Sequence, residues 1–375
     1  MPAPRQIHSH AALRGIAALL VVAYHLQFGG GYRLSPERAT PILTRSYLFV
    51  DLFFILSGFI ISYVNHAGRS KTVTLGEMQS FMKARFARLY PLHLFCLFYL
   101  VLFRWLMASL QYARHRPVDF WQTHSLESLA SQLALLNAWF PKGPQWNIPS
   151  WSISAEFFAY ALFPIVVTIH ARSRAGCELA IAAFSLAFFG YIFATSGSLD
   201  IVVGLAPARC VAGFFLGMLL YFHRDRVARL SETALTGVQI ASVAAILLIL
   251  ATSVADPWVI PPFFLLVAST WTDRGLLPNL LRGRPLLWLG DISYSVYLNH
   301  VCLLQILSFF WTRSGQHLLG DGALNRCAWI VLVYATTLCI SHLTFKFVER
   351  PMRQWLATRW LGRKADPIRQ SPAAP

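Results

Sequence analysis

The sequence predicts an all-α polytopic integral membrane protein with about ten transmembrane helices and with its N- and C-termini in the cytoplasm. Composition is the first reason. Of 375 residues, 56% are hydrophobic and 13% are charged, and the mean hydropathy is +0.52. Soluble domains carry about 25% charged residues. The other two reasons are the length of the apolar runs and the distribution of Lys and Arg between them. The net charge of +16 then indicates membrane topology and an anionic ligand rather than nucleic acid.

The apolar runs each approach the ~20 residues that cross a bilayer as a helix. With the N-terminus inside, the alternating inner segments hold 21 Lys and Arg and the outer segments hold 9. This excess fits the positive-inside rule. We therefore predict a transmembrane domain over residues 1–355 and a cytoplasmic, disordered tail over 356–375. The predicted spans are 10–28, 46–65, 89–109, 152–170, 178–196, 201–222, 235–254, 257–271, 286–311 and 327–348.

The first span carries two ionisable residues, Arg14 and His25. They lie eleven positions apart, which returns to within about 20° of the same helix face and separates them by about 16 Å. Because ionisable side chains do not face lipid, this pair indicates a functional site inside the protein. The alternative is that Arg14 snorkels to the inner headgroups and that His25 lies in the outer interface.

The second span enters from outside, so Asp51 is predicted at the depth of His25. A carboxylate beside a catalytic histidine orients the imidazole and stabilises its protonated form. The alternative is that Asp51 caps the start of its own helix. Further along, Ser57 and Gly58 allow a helix or a ligand to approach closely.

A basic segment, RFARLYP, stands at the predicted cytoplasmic entrance to the third span. Arg85 and Arg88 are three residues apart and so lie on one helical face, and Lys83 adds a charge nearby. Paired guanidinium groups bind phosphates bidentately. Anchoring to anionic lipid headgroups would use the same residues equally well.

The fourth and ninth spans carry further polar residues. Glu156 is predicted near the outer side, with Arg209 of the sixth span as its counter-ion. Trp151 fits the interfacial aromatic belt. In the ninth span, Tyr297 and His300 fall on one face, where His300 reads equally well as a core histidine or as a site residue.

Six motifs in order resemble the membrane acyltransferase-3 family, and the resemblance runs from His8 to about Arg353. These motifs are Arg14-x10-His25, FFILSGF at 53–59, Arg85-x-x-Arg88 before Tyr90-Pro91, WSISAEFFAY at 151–160, LGDISYSVYLNH at 289–300 and VERP at 348–351. Members are multi-pass proteins of the bacterial inner (plasma) membrane that acylate glycans.

The resemblance implies an acyl-CoA donor, most often acetyl-CoA, an exported or membrane-associated glycan hydroxyl as acceptor, and no metal. It further implies that His25 is the catalytic histidine, that Arg14 is its partner on the same helix, and that Arg85 and Arg88 bind CoA phosphates. Glu156 corresponds to the functional carboxylate of the family. The acceptor glycan, the acyl chain length and the oligomeric state are not readable from the sequence.

Two alternatives stay open at this point. His25 either takes the proton of the acceptor hydroxyl or carries the acyl group itself. A proton-coupled transporter of an anionic solute would also use Arg, His, Asp and Glu inside the membrane, although the paired Gly/Pro-interrupted helices of such carriers are not evident in the sequence.

Overall fold

The computed structural model describes residues 6–28, 40–65, 72–113, 125–140, 146–312 and 322–362, and every regular element within these ranges is helical. The predicted all-α class is confirmed. The helices are α1 His8–His25, α2 Pro41–Thr44, α3 Phe49–Val64, α4 Leu75–Ala113, α5 Leu126–Leu133, α6 Ser150–Arg172, α7 Arg174–Ala194, α8 Ala206–Phe222, α9 Arg224–Ala228, α10 Glu232–Ala251, α11 Ile260–Thr270, α12 Leu276–Leu281, α13 Arg284–Phe310, α14 Ala323–Thr344 and α15 Arg350–Leu361. Short 3₁₀ turns cover Leu26–Phe28, Ser46–Leu48 and Asp256–Val259, and a π-helical turn, Phe345–Glu349, joins α14 to α15.

Each of the ten predicted spans coincides with a helix. Among the described residues, seven helical segments are long and apolar enough to cross a membrane. The first, sixth and eighth predicted spans correspond to α1, α8 and α11, which are shorter or less apolar. The eleven residues of α11 reach only about 16 Å, roughly half of a bilayer core. The total of ten spans and the cytoplasmic termini stay predictions.

Two helices extend beyond the predicted bounds. The third predicted span is the outer part of α4, a helix of 39 residues with Pro91 inside it, so Arg85 and Arg88 stand on its N-terminal half. The last helix, α15, continues to Leu361 and therefore crosses the predicted start of the tail at residue 356. Nearly all of the polar sequence that predicts a disordered tail, from Gly362 onward, lies outside the described residues.

Small residues allow helix α3 to pack closely along α8. A Cβ atom added at Gly58 would collide with the Phe214 backbone, and one added at Gly217 would collide with the backbone of Ile55. Close approach through small residues is a main source of helix association in membranes. Of the two partners that the sequence allowed at Gly58, a helix or a ligand, the structure shows the helix, because Gly58 packs α3 against α8.

Helices α1 and α13 pack against each other in the same way. A Cβ at Gly15 would lie 2.8 Å from the backbone nitrogen of Gly290, and a Cβ at Gly290 would collide with the Ala11 carbonyl. Because His25 and His300 each follow these glycines by ten residues, two helices that run in the same direction bring the histidines to the same level.

A carboxylate from a distant part of the chain caps the first turn of α1. Asp273 accepts hydrogen bonds from the backbone nitrogens of His8 and Ser9, at 3.1 and 2.9 Å, and from the Ser9 hydroxyl at 2.6 Å. The first N–H groups of a helix have no partner within it, and an acceptor at this end also opposes the helix dipole. Asp273 thus holds the start of α1 against the connection between α11 and α12.

The packing of α1 on α13 predicts that Gly290→Ala destabilises the protein. The added methyl group collides with backbone atoms, which cannot rotate away, and overpacking of this kind costs about 1–3 kcal/mol. Gly190→Ala is the matched control, because its Cβ would meet nothing within 4 Å and Ala favours a helix. Thermal unfolding in detergent is the measurement. Equal melting temperatures for the two variants would contradict this packing.

Candidate active site

A cavity opens between α1, α3, α4, α6 and α13. Its empty volume, including the open mouth, is about 880 Å³. The cavity is amphipathic, with a cationic part and an aromatic part. Its lining residues are Arg14, Val50, Phe53, Phe54, Ser57, Ile60, Ile61, Arg85, Arg88, Leu89, Ser152, Ile153, Glu156, Tyr160, Ser293, Tyr294 and Tyr297.

Two arginines of α4 form the cationic part of the cavity. The Arg88 guanidinium forms an ion pair with Glu349 from the π-helical turn and lies 5.2 Å from the Tyr294 ring centroid. Arg85 lies over the Phe81 and Tyr160 rings, at 5.6 and 6.0 Å. Its Nε is buried without a hydrogen-bond partner within the described part of the chain. An unsatisfied donor beside a cavity favours an anionic ligand.

Arg14 adds a third positive charge to this cavity. It interacts electrostatically with Asp291, Tyr160 and Glu156. Since Glu156 is the one acidic side chain among the lining residues against three arginines, the cavity carries a net positive charge.

Glu156 lies in the same cavity. Its carboxylate accepts hydrogen bonds from the Ser57 and Tyr160 hydroxyl groups, each at 2.5 Å. These contacts hold the carboxylate where α3 and α6 meet. From the sequence we expected Glu156 to be the counter-ion of Arg209, and this prediction is wrong.

The counter-ion of Arg209 is Asp51. The two side chains form a bidentate pair, with Nε to Oδ1 at 2.9 Å and Nη2 to Oδ2 at 2.7 Å, and they are only 1% and 0% exposed. The Trp151 ring lies 5.4 Å from the guanidinium and covers it. Arg209 binds both carboxylate oxygens of Asp51. Asp51 therefore forms a structural ion pair with Arg209, and not the predicted pair with His25. Helix α3 turns Asp51 toward Arg209 of α8.

The neighbour of His25 is His300 instead. His25 Nδ1 lies 3.2 Å from His300 Nε2, and the ring centroids are 4.8 Å apart, edge to face. His25 Nδ1 also lies 3.0 Å from the Val21 carbonyl oxygen. His300 Nδ1 lies 2.7 Å from the Tyr297 carbonyl oxygen and 3.2 Å from that of Val296.

Two aromatic rings stand between the cavity and the histidine pair. Tyr297 lines the cavity, and its ring centroid lies 5.8 Å from that of His300. Phe53 also lines the cavity and meets the Tyr297 ring edge to face at 5.7 Å. The Tyr297 hydroxyl is held by Ser152 at 2.8 Å. His25 is not a lining residue, so these rings form the boundary between the cationic cavity and the histidines.

The remaining predicted residues lie elsewhere. Lys83 is exposed and does not line the cavity, because it is offset on α4 from the face that carries Arg85 and Arg88. Trp151 is buried against Phe54 and Arg209. The sequence analysis did not single out Tyr160, although its spacing of four residues from Glu156 is the signal that would have found it. Glu349 belongs to the VERP motif at 348–351, and its partner in the structure is Arg88.

Among the described residues, no group of three or more His, Cys, Asp or Glu side chains is arranged to hold a metal ion. All six cysteines are free, and four of them are buried.

Comparison with known proteins gives one family. A family model described as an acyltransferase domain matches residues 8–346. The chain is 27% identical to the acyltransferase MdmB of Streptomyces mycarofaciens, over 94% of this chain and 93% of that protein. It is 22% identical to the peptidoglycan O-acetyltransferase OatA of Listeria monocytogenes and 23% identical to the O-acetyltransferase OatA of Staphylococcus aureus.

The two OatA proteins are longer than the part that this chain matches. The alignments cover 93% and 94% of this chain but only 56% and 58% of the two relatives. No solved structure matches the chain.

The ion pair between α3 and α8 predicts a specific stability pattern. Asp51→Asn leaves the Arg209 charge buried without its partner, which costs about 3–5 kcal/mol. The double variant Asp51→Asn/Arg209→Met removes both charges, so we expect it to recover most of that loss. Thermal unfolding of the two single variants and the double variant measures the coupling. Additive losses would show that Asp51 and Arg209 do not depend on each other.

Proposed function

This chain belongs to the acyltransferase-3 family, and we propose that it transfers an acyl group, most simply acetyl, from acyl-CoA to a hydroxyl group of a glycan. The observation that carries this proposal is the cationic cavity directly beside the boundary that Phe53 and Tyr297 form with the histidine pair. The cavity suits an anionic donor, and the histidine pair beyond the boundary would supply a base for the hydroxyl group of the acceptor.

The donor fits the chemistry of the cavity. Coenzyme A carries phosphate groups at one end and a neutral pantetheine arm at the other. Arg85 and Arg88 would bind phosphate oxygens, since the planar guanidinium groups donate paired hydrogen bonds. The aromatic and aliphatic lining beyond them suits the pantetheine arm. Arg14 would then contact the donor between its phosphates and its thioester.

The ion pair between Arg88 and Glu349 indicates that Arg85 and Arg88 contribute differently to donor binding. A cation that already has a carboxylate partner is less available to a ligand than one that has none. Arg85 lies over the Phe81 and Tyr160 rings instead, so it would supply more of the binding free energy.

His25 would act as the general base. Its imidazole takes the proton of the acceptor hydroxyl while that oxygen attacks the thioester carbonyl carbon. The carbon–sulfur bond then breaks, and the leaving thiolate takes the proton back from the imidazolium. The products are an ester and free CoA thiol, so His25 ends in its starting state. In the second candidate route the acyl group resides on the His25 ring before it passes to the acceptor.

The names of the relatives support the proposed acceptor, and the predicted topology supports the proposed place of the reaction. Two relatives are named O-acetyltransferases, and one of these names specifies peptidoglycan, so a hydroxyl of a cell-envelope glycan is the acceptor that we propose. The chain would lie in the plasma membrane with both termini in the cytoplasm. In that orientation Arg85 and Arg88 lie on the cytoplasmic side, where acyl-CoA is made, and His25 lies toward the outside.

Binding and turnover of acetyl-CoA by the reconstituted protein test this proposal. We expect Arg85→Ala to weaken acetyl-CoA binding about tenfold or more, because hydrogen bonds to charged groups contribute roughly 1.5–3 kcal/mol. Lys83→Ala is the matched control on the same helix and should change binding little. Isothermal titration measures both variants without any acceptor.

His25→Ala separates binding from chemistry in the same system. This variant should bind acetyl-CoA as the wild type does and lose the transfer of labelled acetyl to cell-envelope glycans. A wild-type protein that does not bind acetyl-CoA, or a His25→Ala variant that transfers acetyl at the wild-type rate, would refute the proposal. Solute exchange by sealed proteoliposomes without acetyl-CoA would support the transporter instead.

A further inference from the structure

We infer that His300 is a positioning residue that, together with the Val21 carbonyl, fixes which nitrogen of His25 carries the proton, so that the basic lone pair stands on His25 Nε2. This inference rests on the proposed role of His25 as general base. His300 takes the place of the carboxylate that ordinarily orients a catalytic histidine, because Asp51, the carboxylate that the sequence predicted for this role, is bound by Arg209 through both of its oxygens.

The protonation of His300 follows from its neighbours. His300 Nδ1 faces the carbonyl oxygens of Tyr297 and Val296, at 2.7 and 3.2 Å. Carbonyl oxygens only accept hydrogen bonds, so Nδ1 carries the proton and donates it. In a neutral imidazole the other nitrogen then holds a lone pair, and His300 Nε2 is therefore an acceptor.

The position of the proton on His25 follows from its neighbours in the same way. His25 Nδ1 faces two acceptors, His300 Nε2 at 3.2 Å and the Val21 carbonyl oxygen at 3.0 Å. Its Nδ1 must therefore carry the proton, and the lone pair falls on Nε2. Of the two acceptors, the Val21 carbonyl belongs to the helix that carries His25, whereas His300 reaches the ring from α13.

The burial of His300 strengthens its hydrogen bond with His25. His300 is only 1% exposed, and hydrogen bonds away from water are electrostatically stronger than exposed ones. When His25 Nε2 takes a proton from the acceptor, the resulting imidazolium still donates its Nδ1–H to His300. His300 therefore accepts the same hydrogen bond from the neutral and from the protonated His25 ring.

Two substitutions at His300 separate the hydrogen bond from the bulk of the ring. The Gln side chain places an oxygen acceptor near the position of Nε2, whereas the Asn side chain reaches only the position of Nδ1. We expect His300→Asn to lower kcat about tenfold to a hundredfold with an unchanged KM for acetyl-CoA. His300→Gln should keep most of kcat. His342→Gln is the control, since it changes an exposed histidine that only accepts from Trp288.

The tautomer itself is measured by ¹⁵N NMR of protein labelled at histidine, with the His25 signals assigned by their loss in His25→Ala. The wild type and His300→Gln should show His25 protonated at Nδ1 and unprotonated at Nε2. His300→Asn should show a mixture. This readout needs no acceptor and moves only if His300 acts on the protonation of His25.

The outcomes distinguish this inference from the proposed function. Wild-type kcat in His300→Asn, equal losses in His300→Asn and His300→Gln, or a wild-type spectrum with the proton on Nε2 of His25 would each overturn the role of His300. Full acetyl transfer by His25→Ala would instead overturn the proposed function, whatever the His300 variants do.

Discussion

The close packing of α1 on α13 is the constraint on which the rest of the site depends. Gly15 and Gly290 let the two helices touch backbone to backbone, and equal spacing then brings His25 against His300. The same packing directs Arg14 into the cavity that α4 and α6 complete. Asp273 fixes the start of α1 from a distant part of the chain, so the helix has little freedom to slide.

The pairing of charges separates structural residues from functional ones. Arg209 is neutralised by Asp51, and Arg45 is bound by Asp256 at 2.5 Å. Such pairs satisfy buried charges and leave nothing for a ligand. Arg85 lies instead against aromatic rings at a cavity with a net positive charge. A site that tolerates uncompensated positive charge in this way is suited to a phosphate-bearing ligand.

Helix positions and the arginine face of α4 were predictable from the sequence, because periodicity and charge fix which residues share a face of a helix. The partners were not. Asp51 and His25 were assigned the same depth, but depth does not specify the direction in which a helix face points. The contact of α3 with α8 turns Asp51 to Arg209. The sequence could not decide whether His300 is a core histidine or a site residue, because its neighbour, His25, lies 275 residues away in the sequence.

In the proposed reaction, one donor molecule reaches from the arginines of α4 to the histidine of α1, past Phe53 and Tyr297. A cryo-EM structure of His25→Ala bound to acetyl-CoA would show whether it does. We expect phosphate density against Arg85 and Arg88, with the thioester beyond the two rings and beside the position of the missing imidazole. Acetyl-CoA bound outside this cavity, or with its thioester directed away from position 25, would rule out this path of the donor.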